Sequence, residues 1–467
     1  MIASPIDFYN PDTKIKGGPM EYDYDVIVIG TGTSAYFVVN NCLTANLTVA
    51  VVDRREYGGT CAMRGCQPKK YLVAAAETVE RCRRMQGIGV KNIPEIDWPA
   101  LMRSKNAFTA PIPKGTEEGF RVKGAHTLHG VARFTGANSI EVDGLKISAK
   151  HIVIATGAVP RPLNIPGEEY LKTSEQFLDL DEMPKRVIFV GGGFISMEFA
   201  GIAAMCEAEV TLLQKGERIL ARFDQDLVKV LEDAYREAGI HIFKNACVDR
   251  IEQEDSDLVA GCIEMPEKGF RTDLIVHGAG RIPALEDLNL EAGSIDYSPK
   301  GVTVNKYLQS VSNPSVYAIG DAAATTYQLA TTADLEGEIA SRNIISGNQD
   351  EPDVTVVPSV VFSLPPLASV GLGEEAARQA GMDITVNRGE MNHWPSSRRI
   401  GQTHSAFKII QEAESGCILG AHLLGHSADE VINIFAIAVR LKLTGADLKG
   451  MLWAYPTYSS DLKYMVR

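Results

Sequence analysis

Two short apolar runs, each ending in a glycine-rich turn, constrain this chain more than any other feature. They are residues 26–30 (VIVIG) and residues 186–191 (RVIFVG), and each leads into a stretch compatible with a helix. A continuous apolar run of this kind is typical of a strand that is buried on both faces of a parallel sheet. Strand, glycine turn and helix together form the unit that binds a dinucleotide. The pattern therefore predicts an α/β fold with two Rossmann-like nucleotide-binding domains.

The first turn, residues 30–35, reads GTGTSA. Gly30 and Gly32 allow the backbone to approach a pyrophosphate at the N-terminus of a helix. The next strand ends at Asp53, whose carboxylate can accept a hydrogen bond from a ribose 2′-hydroxyl. We therefore expect a dinucleotide without a 2′-phosphate at this site.

The second turn, residues 191–196, reads GGGFIS and contains Gly191 and Gly193. Its following strand ends at Gln214 rather than at a carboxylate, and the basic residues Lys215, Arg218 and Arg222 come next. Because no carboxylate repels a 2′-phosphate there, we expect NADPH, with NADH as the other nucleotide that fits. The alternative is that Gln214 binds either nucleotide and that the basic residues form a solvated loop.

A cysteine pair stands between the two units, in residues 58–70 (GGTCAMRGCQPKK). In a regular helix, residues five apart are separated by about 7.5 Å along the axis, beyond the roughly 4.4–6.8 Å Cα separation of a disulfide. A Cys61–Cys66 bond would therefore distort the helix, which Gly65 permits, and a strained disulfide is the labile kind. The nearby basic residues Arg64, Lys69 and Lys70 are expected to lower the thiol pKa. Two unlinked buried cysteines are the alternative.

These motifs resemble those of the pyridine nucleotide-disulfide oxidoreductases, the flavoenzymes that include glutathione reductase, dihydrolipoamide dehydrogenase and mercuric reductase. Residues 58–70 resemble the redox-active segment of the family. Residues 155–157 (ATG), 165–167 (IPG) and 280–283 (GRIP) resemble the crossovers between its FAD and NAD(P) domains. Residues 317–321 (YAIGD) resemble the second FAD motif, and residues 359–381 and 417–425 resemble the dimer-interface domain.

The resemblance implies FAD as cofactor, NADPH as electron donor and a homodimer. It also implies four regions: a flexible N-terminal extension (1–22), a discontinuous FAD-binding domain (23–165 and 286–350), an NAD(P)H-binding domain (166–285) and an α+β dimerisation domain (351–467).

The resemblance further implies a role for individual residues. Cys66 would contact the flavin as a thiolate, and Cys61 would attack the acceptor. Glu198 would pair near the flavin with a lysine from Lys69 and Lys70, and Phe194 would gate the nicotinamide pocket. Further cofactor contacts are expected from Gly59, Thr60, Lys70, Ala132, Thr156, Gly157, Gly280, Arg281, Gly320 and Asp321.

The C-terminal segment departs from the family pattern. Glutathione and lipoamide enzymes carry His-Pro-Thr-x-x-Glu, whereas residues 455–461 here read YPTYSSD. Tyr455 takes the place of the histidine and Ser460 that of the glutamate, with Asp461 one residue later. Since a tyrosine with a pKa of about 10 transfers protons poorly at neutral pH, we expect an acceptor that needs no histidine: a metal ion, a quinone or an unusual disulfide.

Two alternatives remain open at this point. Mercuric reductases also have tyrosine at this position, which favours a related metal reductase, although residues 463–467 (KYMVR) lack the cysteine pair usual in those enzymes. The other alternative is a flavoprotein regulator with little turnover. Tyr455 either takes part in the active site of a neighbouring subunit or only fills an interface.

Composition limits the partners. Asp and Glu number 59 against 46 Lys and Arg, a net charge of -13, which disfavours nucleic acid. No apolar run approaches the roughly 20 residues that span a bilayer, and no secretory signal is visible, so we expect no membrane association and a cytoplasmic location. We predict no metal-binding site, because His422 and His426 fall on an expected strand, where four residues span about 13 Å.

Overall fold

The computed structural model describes residues 22–467. The predicted flexible extension lies outside this range, apart from Tyr22. The described chain divides into two compact units. The first comprises the described residues up to Pro68 with Ala107–Val159 and Arg281–Pro352, and the second comprises Lys69–Asn106, Pro160–Gly280 and Asp353–Arg467. The domain boundaries given above stay predictions.

The elements up to residue 277 include the two strand–turn–helix units that the sequence predicts. As far as residue 154 they are β1 (Tyr24–Ile29), α1 (Thr33–Thr44), β2 (Val49–Asp53), α2 (Gly59–Arg64), α3 (Cys66–Arg84), α4 (Trp98–Thr109), α5 (Ile112–Val122), β3 (His126–His129), β4 (Ala132–Gly136), β5 (Ser139–Val142) and β6 (Leu145–Ile154). As far as residue 277 they are β7 (Ala158–Pro160), α6 (Ser174–Phe177), β8 (Arg186–Val190), α7 (Phe194–Met205), β9 (Glu209–Gln214), α8 (Gln225–Glu237), β10 (His241–Lys244), β11 (Val248–Glu254), β12 (Asp257–Cys262), β13 (Phe270–Thr272) and β14 (Leu274–His277).

The remaining elements contain one long helix and a second group of strands. They are β15 (Arg281–Pro283), β16 (Tyr297–Ser298), β17 (Gly301–Val302), β18 (Val316–Ala318), α9 (Ala330–Ser346), β19 (Ser359–Val361), β20 (Leu367–Gly371), α10 (Glu374–Gln379), β21 (Ile384–Glu390), α11 (Pro395–Arg398), β22 (Ala406–Glu412), β23 (Ile418–Leu424), α12 (Ala428–Arg440), α13 (Gly445–Gly450) and α14 (Leu462–Met465).

The first unit is built on a 7-stranded sheet in the order β3-β2-β1-β6-β5-β4, with β18 also paired to β6. Strands β1, β2, β3 and β18 run parallel to one another and to the second half of β6, so that Val28 lies opposite Val51 and Val153. The apolar residues of β1 are buried on both faces of the sheet, as the sequence predicts. Helices α1 and α9 pack closely where Gly337 faces Ser34. A Cβ at residue 337 would lie 2.3 Å from the Ser34 carbonyl oxygen, so this approach requires glycine.

The second unit contains a parallel 4-stranded sheet in the order β10-β9-β8-β14, with Ile188 opposite Thr211 and Ile275. An antiparallel sheet of β11, β12 and β13 lies in the chain between β10 and β14. The C-terminal part of the unit is a 5-stranded antiparallel sheet in the order β19-β20-β23-β22-β21. Helix α12 packs its apolar side, including Ile432 and Phe435, into the same core as this sheet.

These sheets confirm the predicted fold class: two Rossmann-like α/β sheets and an α+β C-terminal part. Residues 418–424 form a strand, as expected, and place His422 opposite Lys408 rather than on a helix with His426. None of the helices in the described part of the chain is long and apolar enough to cross a bilayer.

Candidate functional site

The two motif cysteines flank a break between helices. Helix α2 ends at Arg64, Gly65 adopts φ -144° and ψ -114°, and helix α3 begins at Cys66. A Cβ at residue 65 would lie 3.0 Å from the Thr60 carbonyl oxygen, which is tighter than ordinary packing. The interruption at Gly65 brings together two cysteines that a continuous helix would hold apart.

Cys61 and Cys66 are present as thiols, and their side chains hydrogen bond to each other. This hydrogen bond, followed by burial, raises the pKa of the Cys61 thiol. The expectation that nearby basic groups lower the thiol pKa is therefore wrong for Cys61. The reason is that the basic residues have other partners: Arg64 pairs with Glu56 at 2.9 Å, and the lysines are described below.

The glycine turn after β1 forms a close-packed cradle. Gly30 has φ +112°, and a Cβ there would lie 2.2 Å from the Ala155 carbonyl oxygen. Gly59, at φ +69°, would place a Cβ 2.4 Å from the Gly32 Cα, whereas a Cβ at Gly32 meets open space. Asp53 accepts a hydrogen bond of 2.6 Å from the Thr31 hydroxyl. The turn is thus closely packed at Gly30 and Gly59 and open at Gly32, which leaves space for a pyrophosphate.

Polar groups that suit FAD lie in the same unit. The Thr156 hydroxyl is buried and finds no partner in the described part of the chain, and Gly157, at φ +70°, faces open space. Burial raises the pKa of the Asp321 carboxyl, and the Arg281 charge partly offsets that effect. An orphaned hydroxyl and a buried carboxylate beside a glycine cradle fit the hydroxyl groups of a bound FAD.

Glu336 is a buried acidic residue beside the candidate site that sequence reasoning missed. Its Oε2 accepts a hydrogen bond of 2.7 Å from the Gly320 amide, and so it holds the turn that carries Asp321. Burial raises the pKa of Glu336 to about 7. The only signal in the sequence was an acidic residue on the same helical face as Ala333 and Ala340.

The second unit resolves the choice between the two adjacent lysines. Lys69 Nζ lies 2.9 Å from Glu198 Oε1, and both side chains are nearly inaccessible to solvent. The same Glu198 oxygen accepts from the Phe362 amide at 2.9 Å. Lys70 is partly exposed, and its closest carboxylate partner, Glu77, is 3.9 Å away. Lys69 is therefore the lysine that forms the buried pair with Glu198.

The second nucleotide turn also requires glycine, because a Cβ at Gly191, where φ is +100°, would lie 2.6 Å from the Gly278 carbonyl oxygen. Gln214 points inward: its Oε1 accepts from the Gly192 amide at 2.7 Å and its Nε2 donates to the Arg218 carbonyl at 3.0 Å. The side chains of Lys215, Arg218 and Arg222 are exposed around it. Gln214 therefore links the glycine turn to the loop that follows β9.

Phe194 and Gly280 lie at the edges of this nucleotide region. Phe194 is the first residue of helix α7 after the cap at Gly193, and it is 53% exposed. The Gly280 carbonyl accepts from the Arg161 amide at 3.1 Å. An exposed aromatic ring at the start of this helix suits the gating position that the resemblance implies.

The C-terminal segment does not rebuild a dyad around Tyr455 within the described chain. Tyr455 is 74% exposed, whereas Ser460 and Asp461 are buried. The Ser460 hydroxyl donates to the Thr457 carbonyl at 2.6 Å, and Asp461 accepts from the Ser396 hydroxyl. Ser460 and Asp461, the two residues at or next to the family's glutamate position, are thus both engaged in hydrogen bonds within this segment and with Ser396.

The predicted residues fall into two groups. Those in the first unit are Gly30, Gly32, Asp53, Gly59, Thr60, Cys61, Cys66, Ala132, Thr156, Gly157, Arg281, Gly320 and Asp321. Those in the second are Lys69, Lys70, Gly191, Gly193, Phe194, Glu198, Gln214, Lys215, Arg222, Gly280 and Tyr455. Ala132 differs from the others because its side chain is buried in the core, so any contact with a cofactor would come from its backbone. No group of three potential ligands among the described residues is arranged to hold a metal ion.

Comparison with known proteins places these features in a family. The family described as "Pyridine nucleotide-disulphide oxidoreductase" matches residues 24–337, and its dimerisation domain matches residues 357–466. The chain is 31% identical to the mercuric reductase of Bacillus cereus over 95% of this chain and 71% of that protein. It is 30% identical to the glutathione reductase of Pisum sativum chloroplasts and mitochondria over 95% and 82% of the two chains.

Solved structures give the same result. The HOCl-induced flavoprotein disulfide reductase RclA from Escherichia coli matches with a TM-score of 0.85 and 27% identity, over 95% of this chain and 99% of that one. A Cu(II) complex of RclA matches with the same TM-score and 26% identity, over 95% and 98% of the two chains.

Proposed function

Because the chain belongs to the pyridine nucleotide-disulphide oxidoreductase family and is an FAD-dependent enzyme of that class, we propose that it carries electrons from NADPH through the Cys61–Cys66 pair to a metal ion. A cytoplasmic location, where thiols stay reduced, is part of this proposal.

The observation that carries the proposal is a thiol pair without a histidine acid–base partner. The pKa of Cys61 is raised by its hydrogen bond to Cys66 and by burial, and the family's histidine position holds an exposed tyrosine. Thiol-disulfide exchange needs a thiolate, so a disulfide acceptor would require a base to remove the proton. A metal ion needs no such base, since a coordinating thiol is deprotonated by the ion itself.

The relatives support the same acceptor class. One of them is named a mercuric reductase, and the solved structure of RclA was obtained as a Cu(II) complex. Both names join this architecture to a soft or borderline metal ion, which thiolates prefer as ligands.

Each residue has a defined role in the proposed reaction. A bound FAD would supply the route for two electrons from NADPH to the disulfide. Cys61 and Cys66 then release two electrons and two protons as their S–S bond re-forms, which reduces one mercuric ion or two copper(II) ions. The buried pair with Glu198 fixes the Lys69 ammonium group close along the chain to Cys66. Asp321, in the turn held by Glu336, would bind the cofactor.

An anaerobic NADPH titration of the purified holoenzyme tests the proposal. On two-electron reduction we expect a long-wavelength absorbance band between the Cys66 thiolate and the flavin. Cys66→Ser should abolish the band, and Cys61→Ser should show it without reductant. NADPH oxidation should then require both cysteines with copper(II) or mercury(II) as acceptor and should be slow with glutathione disulfide. A wild-type protein that bleaches without the band, or a Cys61→Ser enzyme with full metal turnover, would contradict the proposal.

A further inference from the structure

Helix α9 presents a carboxylate to the N-terminus of helix α1. The Thr33 hydroxyl donates a hydrogen bond to Asp334 Oδ1. Burial raises the pKa of Asp334, and this hydrogen bond partly offsets that effect. The two helices are held together by a further hydrogen bond of 2.8 Å from Asn41 Nδ2 to the Ser341 hydroxyl. Asp334 is therefore fixed in place, and its anionic form is stabilised by a donor.

The redox helix meets α1 at the same point. Gly59, in the first turn of α2, packs against the Gly32 backbone next to Thr33, and Cys61 follows two residues later. The charge of Asp334 acts on Cys61 and raises the pKa of its thiol, in addition to the larger effects of Cys66 and burial. Thiol and carboxylate thus lie within electrostatic range of each other on neighbouring helices of one compact unit.

The surroundings leave this charge uncompensated. Glu338, one turn further along α9, is exposed and adds a second negative charge near Asp334. Arg64, the basic residue of α2, is already paired with Glu56 at 2.9 Å. No cation of the described chain is among the main influences on Cys61. The thiol that is expected to meet the acceptor therefore lies in a negative local field.

We propose that Asp334, assisted by Glu338, selects cationic acceptors at Cys61 and disfavours acceptors that carry carboxylates. This inference rests on the proposed function, whose acceptor class it explains. A carboxylate near the reacting sulfur attracts a cation and repels an anion with equal strength. A metal ion is concentrated at the thiol pair, whereas a polyanionic disulfide is repelled from it. Asp334 acts as a selectivity residue and takes no part in electron transfer.

The test uses two thiol reagents that differ in charge and share one reacting group. Holoenzyme with Cys66→Ser is treated with a methanethiosulfonate that carries a trimethylammonium group and, separately, with one that carries a sulfonate. The rate of modification at Cys61 is followed by peptide mass spectrometry. The ratio of the two rates reports the local field alone, because both reagents attack the same thiolate and any change in its pKa cancels.

We expect the cationic reagent to be favoured and Asp334→Asn to lower the ratio by about fivefold, since one nearby unit charge is removed. Asp334→Glu should preserve the ratio. Glu286→Gln, the same loss of charge at an exposed residue of the same unit, should leave it unchanged. At about 1 M salt, where the screening length is about 3 Å, the ratio should approach that of a free thiol.

Two outcomes decide the matter. A ratio unaffected by Asp334→Asn would overturn the inference, as would an equal fall in Glu286→Gln. The experiment uses neither NADPH nor an acceptor, so its failure is distinct from failure of the proposed function. In turnover, the ratio of kcat/KM for cystamine, a cationic disulfide, to that for glutathione disulfide should fall in Asp334→Asn by a similar factor.

Discussion

Lys69 and Lys70 are neighbours in the sequence, yet their surroundings differ. Lys69 is buried against Glu198, and Lys70 stays partly exposed, although both ammonium groups lie near 4 Å from the Phe362 ring, at 4.2 and 4.0 Å to its centre. Adjacent residues on a helix point about 100° apart, so only one of them can face the partner of a buried pair. The phase of helix α3 selects Lys69.

Replacing each lysine by methionine separates their roles. In Lys69→Met the Glu198 carboxylate is left buried without its cation, so we expect the free energy of unfolding to fall by about 3 kcal/mol. Lys70→Met removes only an exposed pair and should cost less than about 1 kcal/mol. Urea denaturation of the holoenzymes measures both changes in the free energy of unfolding. In a separate measurement, flavin reduction by NADPH should slow only in Lys69→Met. Equal effects of the two changes would contradict the assignment.

Glu336 makes the stability depend on pH near neutrality. The folded protein holds this proton up to about pH 7, whereas the unfolded chain loses it near pH 4.5. The folded state therefore binds more protons between pH 4.5 and 7. The proton on Glu336 contributes about 3 kcal/mol to the free energy of unfolding below pH 4.5, and this contribution is lost as the pH rises to 7. Glu336→Gln should remove this part of the slope in urea titrations from pH 5 to 7.5. Glu338→Gln, which changes an exposed residue of the same helix, should retain the dependence of stability on pH. Equal slopes in wild type and Glu336→Gln would refute the prediction.

At the scale of the element, the loop between β9 and α8 is where we expect the choice between NADPH and NADH to be made. The Gln214 side chain accepts a hydrogen bond from the Gly192 amide and donates one to the Arg218 carbonyl, so both of its polar atoms already have backbone partners. The exposed basic residues at 215, 218 and 222 are then the groups available to a 2′-phosphate. This arrangement supports the proposed preference for NADPH.

Gln214→Glu tests that preference. The new carboxylate keeps the acceptor for the Gly192 amide but brings its second oxygen towards the Arg218 carbonyl and adds negative charge beside the 2′-phosphate. We expect KM for NADPH to rise by about tenfold and KM for NADH to change much less. Lys215→Gln serves as a control that should weaken NADPH binding without affecting NADH. A wild-type preference for NADH would exclude the proposal.

At the scale of the whole molecule, apolar side chains remain exposed on the C-terminal part. Ile437 and Leu441, one turn apart at the end of helix α12, are 57% and 63% exposed, and Leu452 is fully exposed ahead of Tyr455. Exposed apolar groups that are close together are typical of an interface. The chain contains the family's dimerisation domain, and these residues are where we expect a second copy to bind.

Sedimentation analysis of three variants examines this interface. Ile437→Asp combined with Leu441→Asp should give a monomer, because charge is placed in a buried apolar contact. Ile263→Asp, a similar change at an equally exposed residue, should leave a dimer. Tyr455→Phe should remain dimeric with unchanged flavin reduction and reduced metal turnover. Full turnover in Tyr455→Phe would leave Tyr455 as packing, and a wild-type monomer would rule out a shared site.

The sequence by itself determined the features that depend on local pattern. The apolar runs before Gly30 and Gly191 specify strands buried on both faces, and their glycines specify the turns, because only glycine adopts the required positive φ so close to neighbouring backbone. The spacing of Cys61 and Cys66 around Gly65 predicted a redox pair, and the replacement of histidine at Tyr455 predicted an unusual acceptor.

Only the tertiary structure decided the properties that depend on distant partners. The raised pKa of Cys61 depends on its hydrogen bond to Cys66 and on burial. The Lys69–Glu198 contact joins residues far apart in sequence, and the proton held by Glu336 depends on burial. The inward turn of Gln214 and the position of Asp334 beside the redox helix depend on which helix ends meet. Charge and hydrogen bonding act through space, so sequence spacing identifies the reactive groups but not the environment that sets their chemistry.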